Sequence, residues 1–312
     1  MTYMAPIAHI ESSDLNSIWK PLEPSVSEGT YRTLLSNAQR LEGDERQAWV
    51  ELLSWIARAE AVQGKIAEAR ASLEKAEKLL EELAAGCSVT IKIRWQLERG
   101  RLYILERTPA QGRGLLASAW TMANDVGEDS LAIEIAQLMA SSEPQKSQQE
   151  WIMRAIDIAE KSVQQKTKHW LGSLYSTLGW KLYDLRQFEK SIAMFEKALG
   201  NFMAHGTKRE SFVAQWSIGK VTRAFGKIEE ALRIQQALLV ELNLESKHDG
   251  RLYEELAECL QMLNRVSEAQ PYFELAYKEL SSDEWIIDNK PLRLKRLKDL
   301  GKARAPRPPE FQ

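Results

Sequence analysis

Four histidines and two cysteines are the side chains of this chain best suited to metal ligation or nucleophilic attack. His9, His169, His205 and His248 fall in the first residues or in presumed connections, with no pair at metal-ligand spacing. Cys87 and Cys259 have no neighbouring histidine and no CxxC partner, and Cys259 reads as a small core residue on a helix. The sequence has no phosphate-cradling glycine loop and no nucleophile elbow. The expectation is therefore a protein that is not an enzyme, with no cofactor and no metal. The remaining chemistry is that of recognition, carried by Trp, Tyr and Arg through large buried area and forked hydrogen bonds.

The elements that would position such residues are repeated. Gly64-Lys65-Ile66-Ala67-Glu68-Ala69 returns as Gly226-Lys227-Ile228-Glu229-Glu230-Ala231 and as Asn264-Arg265-Val266-Ser267-Glu268-Ala269. Each copy begins seven residues after a small residue (Ala57, Gly219, Ala257) and precedes another apolar helical pattern. Self-similarity of this kind marks stacked helix–turn–helix units. Gly64, Gly226 and Asn264 stand where the first helix must end in a left-handed residue, which Gly and Asn tolerate best.

Composition agrees with helices throughout: 10 prolines and 16 glycines in 312 residues, 44% hydrophobic and 28% charged. A net charge of −2 gives no sequence-wide argument for nucleic acid or an anionic membrane. No signal peptide and no membrane-length apolar run is visible, so a reducing, cytoplasmic setting is expected. Residues 1–27, with Pro6, Pro21 and Pro24, read as an extended arm that Trp19 pins to the body. A first helix is expected over Ser27–Leu41, ending near Gly43, and the repeats occupy the rest of 28–289. Residues 290–312 carry eight Lys/Arg against two acidic residues. Leu292, Leu294, Leu297 and Leu300 there predict a capping helix, followed by a proline-containing tail expected to lack order.

Two hairpins carry a recognisable signature. One reads Tyr175-x-x-Leu178-Gly179-x-x-Leu182, then Ser191-x-x-x-Phe195-x-x-Ala198. The other reads Tyr253-x-x-Leu256-Ala257-x-x-Leu260, then Ala269-x-x-x-Phe273-x-x-Ala276. These resemble the tetratricopeptide repeat, and weaker matches extend the resemblance over roughly residues 50–280. Equivalent small residues stand at 57, 100, 136, 179, 219 and 257, a spacing of 36 to 43 rather than 34. That resembles the longer, roughly 40-residue variety. Longer helices or longer connections explain it, with loops expected at Ala84–Thr90, Asn124–Asp129, Gly200–Glu210 and Asn243–Gly250.

The resemblance implies an all-α right-handed solenoid of about six hairpins with a protein or peptide partner in its concave groove. Groove offsets carried over from the family include Ser54, Leu97, Ile133 and Gln261, and above all Arg58, Arg94, Arg101, Gln137, Trp180, Tyr183, Trp216, Lys220, Arg223, Glu254 and Glu258. The expected groove thus has a basic stretch, an aromatic centre and an acidic end. The Asn and Lys that clamp acidic chaperone tails in some members are replaced by Ser176, Thr177 and Trp180. An interaction scaffold is one implied role, and a peptide-responsive regulatory sensor is the other.

Overall fold

The computed structural model describes residues 12–38, 46–83 and 86–302. All seventeen elements among them are helices. The chain divides at Thr167/Lys168 into two compact units.

In the first unit, α1 (Ser12–Ile18) and α2 (Pro24–Ala38) precede three hairpins. These are α3 (Arg46–Val62) with α4 (Ile66–Leu83), α5 (Val89–Leu105) with α6 (Pro109–Asp125), and α7 (Asp129–Ser142) with α8 (Gln145–Lys161). The short α9 (Gln165–Lys168) lies at the division. The second unit holds α10 (Trp170–Asp184) with α11 (Phe188–His205), α12 (Lys208–Ala224) with α13 (Ile228–Leu244), and α14 (Gly250–Met262) with α15 (Val266–Leu280). It ends in α16 (Glu284–Asn289) and α17 (Pro291–Lys302).

The hairpins close because compact residues face each other. A Cβ on Gly179 would stand 2.9 Å from the Phe195 ring, so only glycine lets α11 approach α10 this closely. Ser191 Oγ donates to Gly179 O at 2.7 Å, tying the same crossing with a buried hydrogen bond. Sixteen residues after each small residue stands the core filler: Leu73, Leu116, Ile152, Phe195 and Phe273, all buried. In the fifth hairpin that position is Gln235, also fully buried.

Five of the six hairpin turns are the same. Gly64, Arg107, Arg186, Gly226 and Asn264 have φ of 77, 60, 57, 91 and 59°. In each, the next residue's N–H donates back to a carbonyl of the first helix, as Lys65 does to Glu60 O at 2.9 Å and Arg265 to Leu260 O at 2.9 Å. This satisfies carbonyls that the helix end would leave unpaired. The third hairpin differs: Glu143 is extended at φ −91° and leads into Pro144, which has no N–H to give.

The sequence reading needs three corrections here. The arm is helical over Ser12–Ile18, because Leu15 buries fully and Tyr31 Oη donates to Leu15 O at 2.8 Å. The next helix begins at Pro24 rather than Ser27, since proline suits a first helical turn. Its expected end near Gly43 lies outside the described residues, as do Pro6, His9 and residues 303–312. Of the two causes expected for the long spacing, helices of up to 18 residues account for part, and the loop expected at Gly200–Glu210 is mostly helix: α11 runs on to His205 and leaves only Gly206 and Thr207 before α12. No described helix is long and apolar enough to cross a membrane.

Candidate functional site

In the first unit, the first helices of the three hairpins face one another through charge. Arg58 on α3 bonds Glu98 on α5 at 3.3 Å and Glu134 on α7 at 2.6 Å. Arg94 reaches Glu134 at 3.4 Å, and Arg101 holds Glu98 at 2.9 Å. Glu98 keeps 1% of its side-chain surface, and Glu134 8%. Burial alone would raise the Glu134 carboxyl, but Arg58, Arg94 and Arg101 outweigh it and hold the group at about 2. Aromatic faces complete the cluster: Arg58 lies 4.9 Å from the Trp19 ring, and Arg94 4.4 Å from the Trp55 ring. Trp19 thus pins the arm by covering a residue expected to face a ligand.

The second unit combines aromatic and ionic contacts. Trp180 on α10 sits 5.6 Å from Tyr183, 5.0 Å from Phe195 and 6.1 Å from Trp216 on α12, ring centre to ring centre. Trp180, Tyr183 and Trp216 are half-buried. The Trp216 indole N–H donates to Arg251 O at 3.2 Å, whereas the Trp180 indole N–H has no partner in the described chain. Beside them Lys220 and Arg223 converge on Glu255 at 2.5 and 2.8 Å, and Lys220 lies 5.1 Å over the Trp216 ring. Burial would raise the Glu255 carboxyl; the two cations lower it instead.

The acidic end is occupied by α17, the last helix among the described residues. Arg293 on α17 pairs with Glu254, its Nε at 3.0 Å, and Arg296 Nη2 reaches Glu258 at 3.1 Å. Leu294 and Leu297 bury between them, and a Cβ on Gly301 would stand 2.9 Å from Glu274 Cα, so α17 packs directly on α15.

No family model matches the sequence, and no curated protein matches it. Solved structures do. RapI in its apo form superposes with a TM-score of 0.73 at 11% identity, over 92% of this chain and 85% of that one. The STAND protein PH0952 from Pyrococcus horikoshii, with a tetratricopeptide repeat sensor, gives 0.66 at 15% identity over 89% of this chain and 43% of that one. The fold is of the tetratricopeptide type. NprR in complex with its cognate peptide NprX gives 0.52 at 17% identity over 93% of this chain and 83% of that one.

Within this tetratricopeptide frame the resemblance placed the expected residues on the first helices, and the structure brings them together in two sets. Arg58, Arg94 and Arg101 form one; Trp180, Tyr183, Trp216, Lys220 and Arg223 form the other, with Glu254 and Glu258 under α17. The charges are tied to carboxylates of the same chain, which the sequence reading missed. Glu98, Glu134 and Glu255 each stand two residues before the small residue of their helix (Gly100, Ala136, Ala257), and that shared offset is the signal that identifies them. The Gln137 side chain is half-buried and has no hydrogen bond among the described residues. Both cysteines are buried, and burial pushes the Cys259 thiol up to about 12, far from a reactive thiolate. His169 and His205 pack ring to ring at 5.4 Å, but no group of three or more ligating side chains suits a metal among the described residues. A separate cavity of about 580 Å³ opens between α11, α12 and α13, lined by Phe202, Met203, Phe212, Leu242 and Leu244.

Proposed function

We propose that this protein recognises a segment of another polypeptide through the wall formed by α10, α12 and α14. The observation that carries the reading is the aromatic group of Trp180, Tyr183 and Trp216, half-buried on successive first helices. Such side chains supply large contact area at little entropic cost and are the commonest anchors at interfaces. Gln137, whose side-chain amide has no partner among the described residues, is proposed separately as a contact of the first unit. Arg58, Arg94 and Arg101 serve as frame among the first three hairpins, and Glu254 and Glu258 tie α14 to α17.

The role is that of a scaffold or adaptor. A second reading, a sensor that responds to a peptide, is favoured by the likeness to NprR, which has a cognate peptide and shares the fold over most of this chain. The test is affinity purification from the native cell with wild-type protein and Trp180→Ala side by side. Replacing an anchoring tryptophan costs roughly 2 kcal/mol of binding, so the specific partner should be retained by the first and lost by the second. Equal recovery by both, with Trp180→Ala still folded, would remove this wall from the function. A sensor additionally changes its radius of gyration on adding the partner peptide, whereas a rigid scaffold does not.

A further inference from the structure

On the second unit's wall Lys220, Arg223, Glu254, Glu255 and Glu258 are matched to charges of the same chain, while the rings of Trp180, Tyr183 and Trp216 stay half-buried, and that asymmetry defines what fits it. Glu255 already holds two cations, Lys220 and Arg223. Glu254 and Glu258 are each paired with an arginine of α17. At Glu254 or Glu258 a cationic ligand side chain must displace one of these arginines, and at Lys220 or Arg223 an anionic one must draw the cation away from a buried carboxylate. Drawing a cation from Glu255, which keeps 2% of its side-chain surface, strips a buried charge at a heavy cost, and displacing a partly exposed arginine of α17 only trades one exposed ion pair for another. The cation–π position on Trp216 is taken by Lys220 as well. Trp180 is different. Its indole N–H is open to a ligand carbonyl, and its ring, with Tyr183 and Trp216, offers edges and faces at spacings where another aromatic or aliphatic group gains contact.

Resting on the reading proposed above, we infer that the partner is a peptide segment that presents a bulky apolar side chain, flanked by uncharged residues, to Trp180. A backbone carbonyl of the segment accepts from the Trp180 indole N–H. Binding is therefore driven by apolar contact and nearly insensitive to salt, because no new ion pair forms for counterions to screen.

The experiment uses the full chain and a positional-scanning library of acetylated, amidated hexapeptides, followed by salt titration of the tightest pool. Pools with Trp, Phe, Leu or Met fixed at one position should be retained about tenfold better than those with Lys, Arg, Asp or Glu there, a difference of about 1.4 kcal/mol. Affinity should stay within about twofold between about 50 and about 500 mM NaCl. Trp180→Ala and, as a second variant, Tyr183→Ala should abolish the preference, while Leu244→Glu, on the rim of the separate cavity, leaves it intact. Selection of charged pools, or a loss of about tenfold with salt, overturns the inference while leaving peptide binding standing. Loss of binding in Leu244→Glu but not in the aromatic variants overturns it by moving the site to the cavity. No retention of any pool overturns the peptide-binding reading and this inference with it.

Discussion

Arg58 on α3 bonds Glu134 on α7 at 2.6 Å, past the intervening α5 and across two hairpins. In a helical repeat each hairpin ordinarily contacts only its neighbours, so stability is a sum of nearest-neighbour terms. This ion pair adds a contact between the first and third hairpins, and Glu98 on the middle helix shares it at 3.3 Å. The three hairpins of the first unit should consequently unfold as one cooperative block.

Removing one partner tests that. Arg58→Ala leaves the buried Glu134 with less compensation, and truncating one side of a buried pair costs roughly 3–5 kcal/mol. Chemical denaturation should show the first unit destabilised by at least about 2 kcal/mol, with its transition separating from that of the second unit. A midpoint shift equivalent to less than about 0.5 kcal/mol, typical of a surface substitution, would mean the pair is incidental.

Acid should have the same target. The Glu134 carboxyl lies at about 2 in the folded protein against an ordinary 4.5. Between those values the unfolded chain binds the proton more readily, so stability rises with pH there. The contribution is complete above about pH 5 and lost as pH falls through 4.5 towards 2, amounting to about 1.4 kcal/mol for each unit of the shift. Glu28 and Glu255 are lowered as well, so the decisive quantity is the difference between wild-type and Glu134→Gln. The pH dependence of stability below 4.5 should be visibly shallower in the variant. Identical slopes would sink the assignment.

The five shared turns give a pair of opposite predictions. Arg186 has φ 57°, a region that L-residues enter at a cost of roughly 1–2 kcal/mol and glycine does not. Its side chain is exposed and makes no polar contact, so Arg186→Gly should stabilise the second unit by about 1 kcal/mol. Gly226, at φ 91° in the next hairpin, has no atom within 4 Å of an added Cβ, so Gly226→Arg should cost a similar amount through the backbone alone. Thermal unfolding of both reads the signs directly, and equal signs would refute the backbone account.

That pair also shows what the sequence displays and what it hides. Gly64, Gly226 and Asn264 announced their turns because their types tolerate the left-handed conformation. Arg107 and Arg186 occupy the same position with no such signal; packing of the hairpin imposes the turn and the residue bears the strain. The fold was legible because close helix packing admits only small side chains at fixed offsets, as Gly179 opposite Phe195 illustrates. The resemblance put Trp180 and Trp216 on neighbouring first helices, and their rings do meet at 6.1 Å, but it did not show that Trp180 also packs on Phe195, the core filler of its own hairpin. The ionic ties were not legible. Arg58 and Glu134 are 76 residues apart, and nothing in the local period of either helix records which charge meets which. For the same reason, groove arginines expected to face a ligand proved to be joined to Glu98 and Glu134.

Gln235 is the point where the repeat departs from its own rule. It stands where Phe195 and Phe273 fill the fourth and sixth hairpins, and it is fully buried. Its Nε2 donates to Trp216 O at 3.1 Å, but its Oε1 has no partner. An unpaired buried acceptor costs about 1–3 kcal/mol, more than the single bond to a helix carbonyl returns. Gly219 gives the amide room, since a Cβ there would stand 2.4 Å from Nε2. Gln235→Leu keeps nearly the same volume, removes the orphaned oxygen and puts an apolar side chain at a fully buried position of α13, the helix that gives Leu232 and Leu238 to the core. It should raise the stability of the second unit by about 1–2 kcal/mol, read as a higher denaturant midpoint with an unchanged slope. Because α12 and α13 carry Trp216 and its support, the same variant asks whether the buried amide loosens the wall for binding. If it does, Gln235→Leu will slow peptide association while raising the midpoint; if the amide is only a packing defect, stability will rise and binding kinetics will not move.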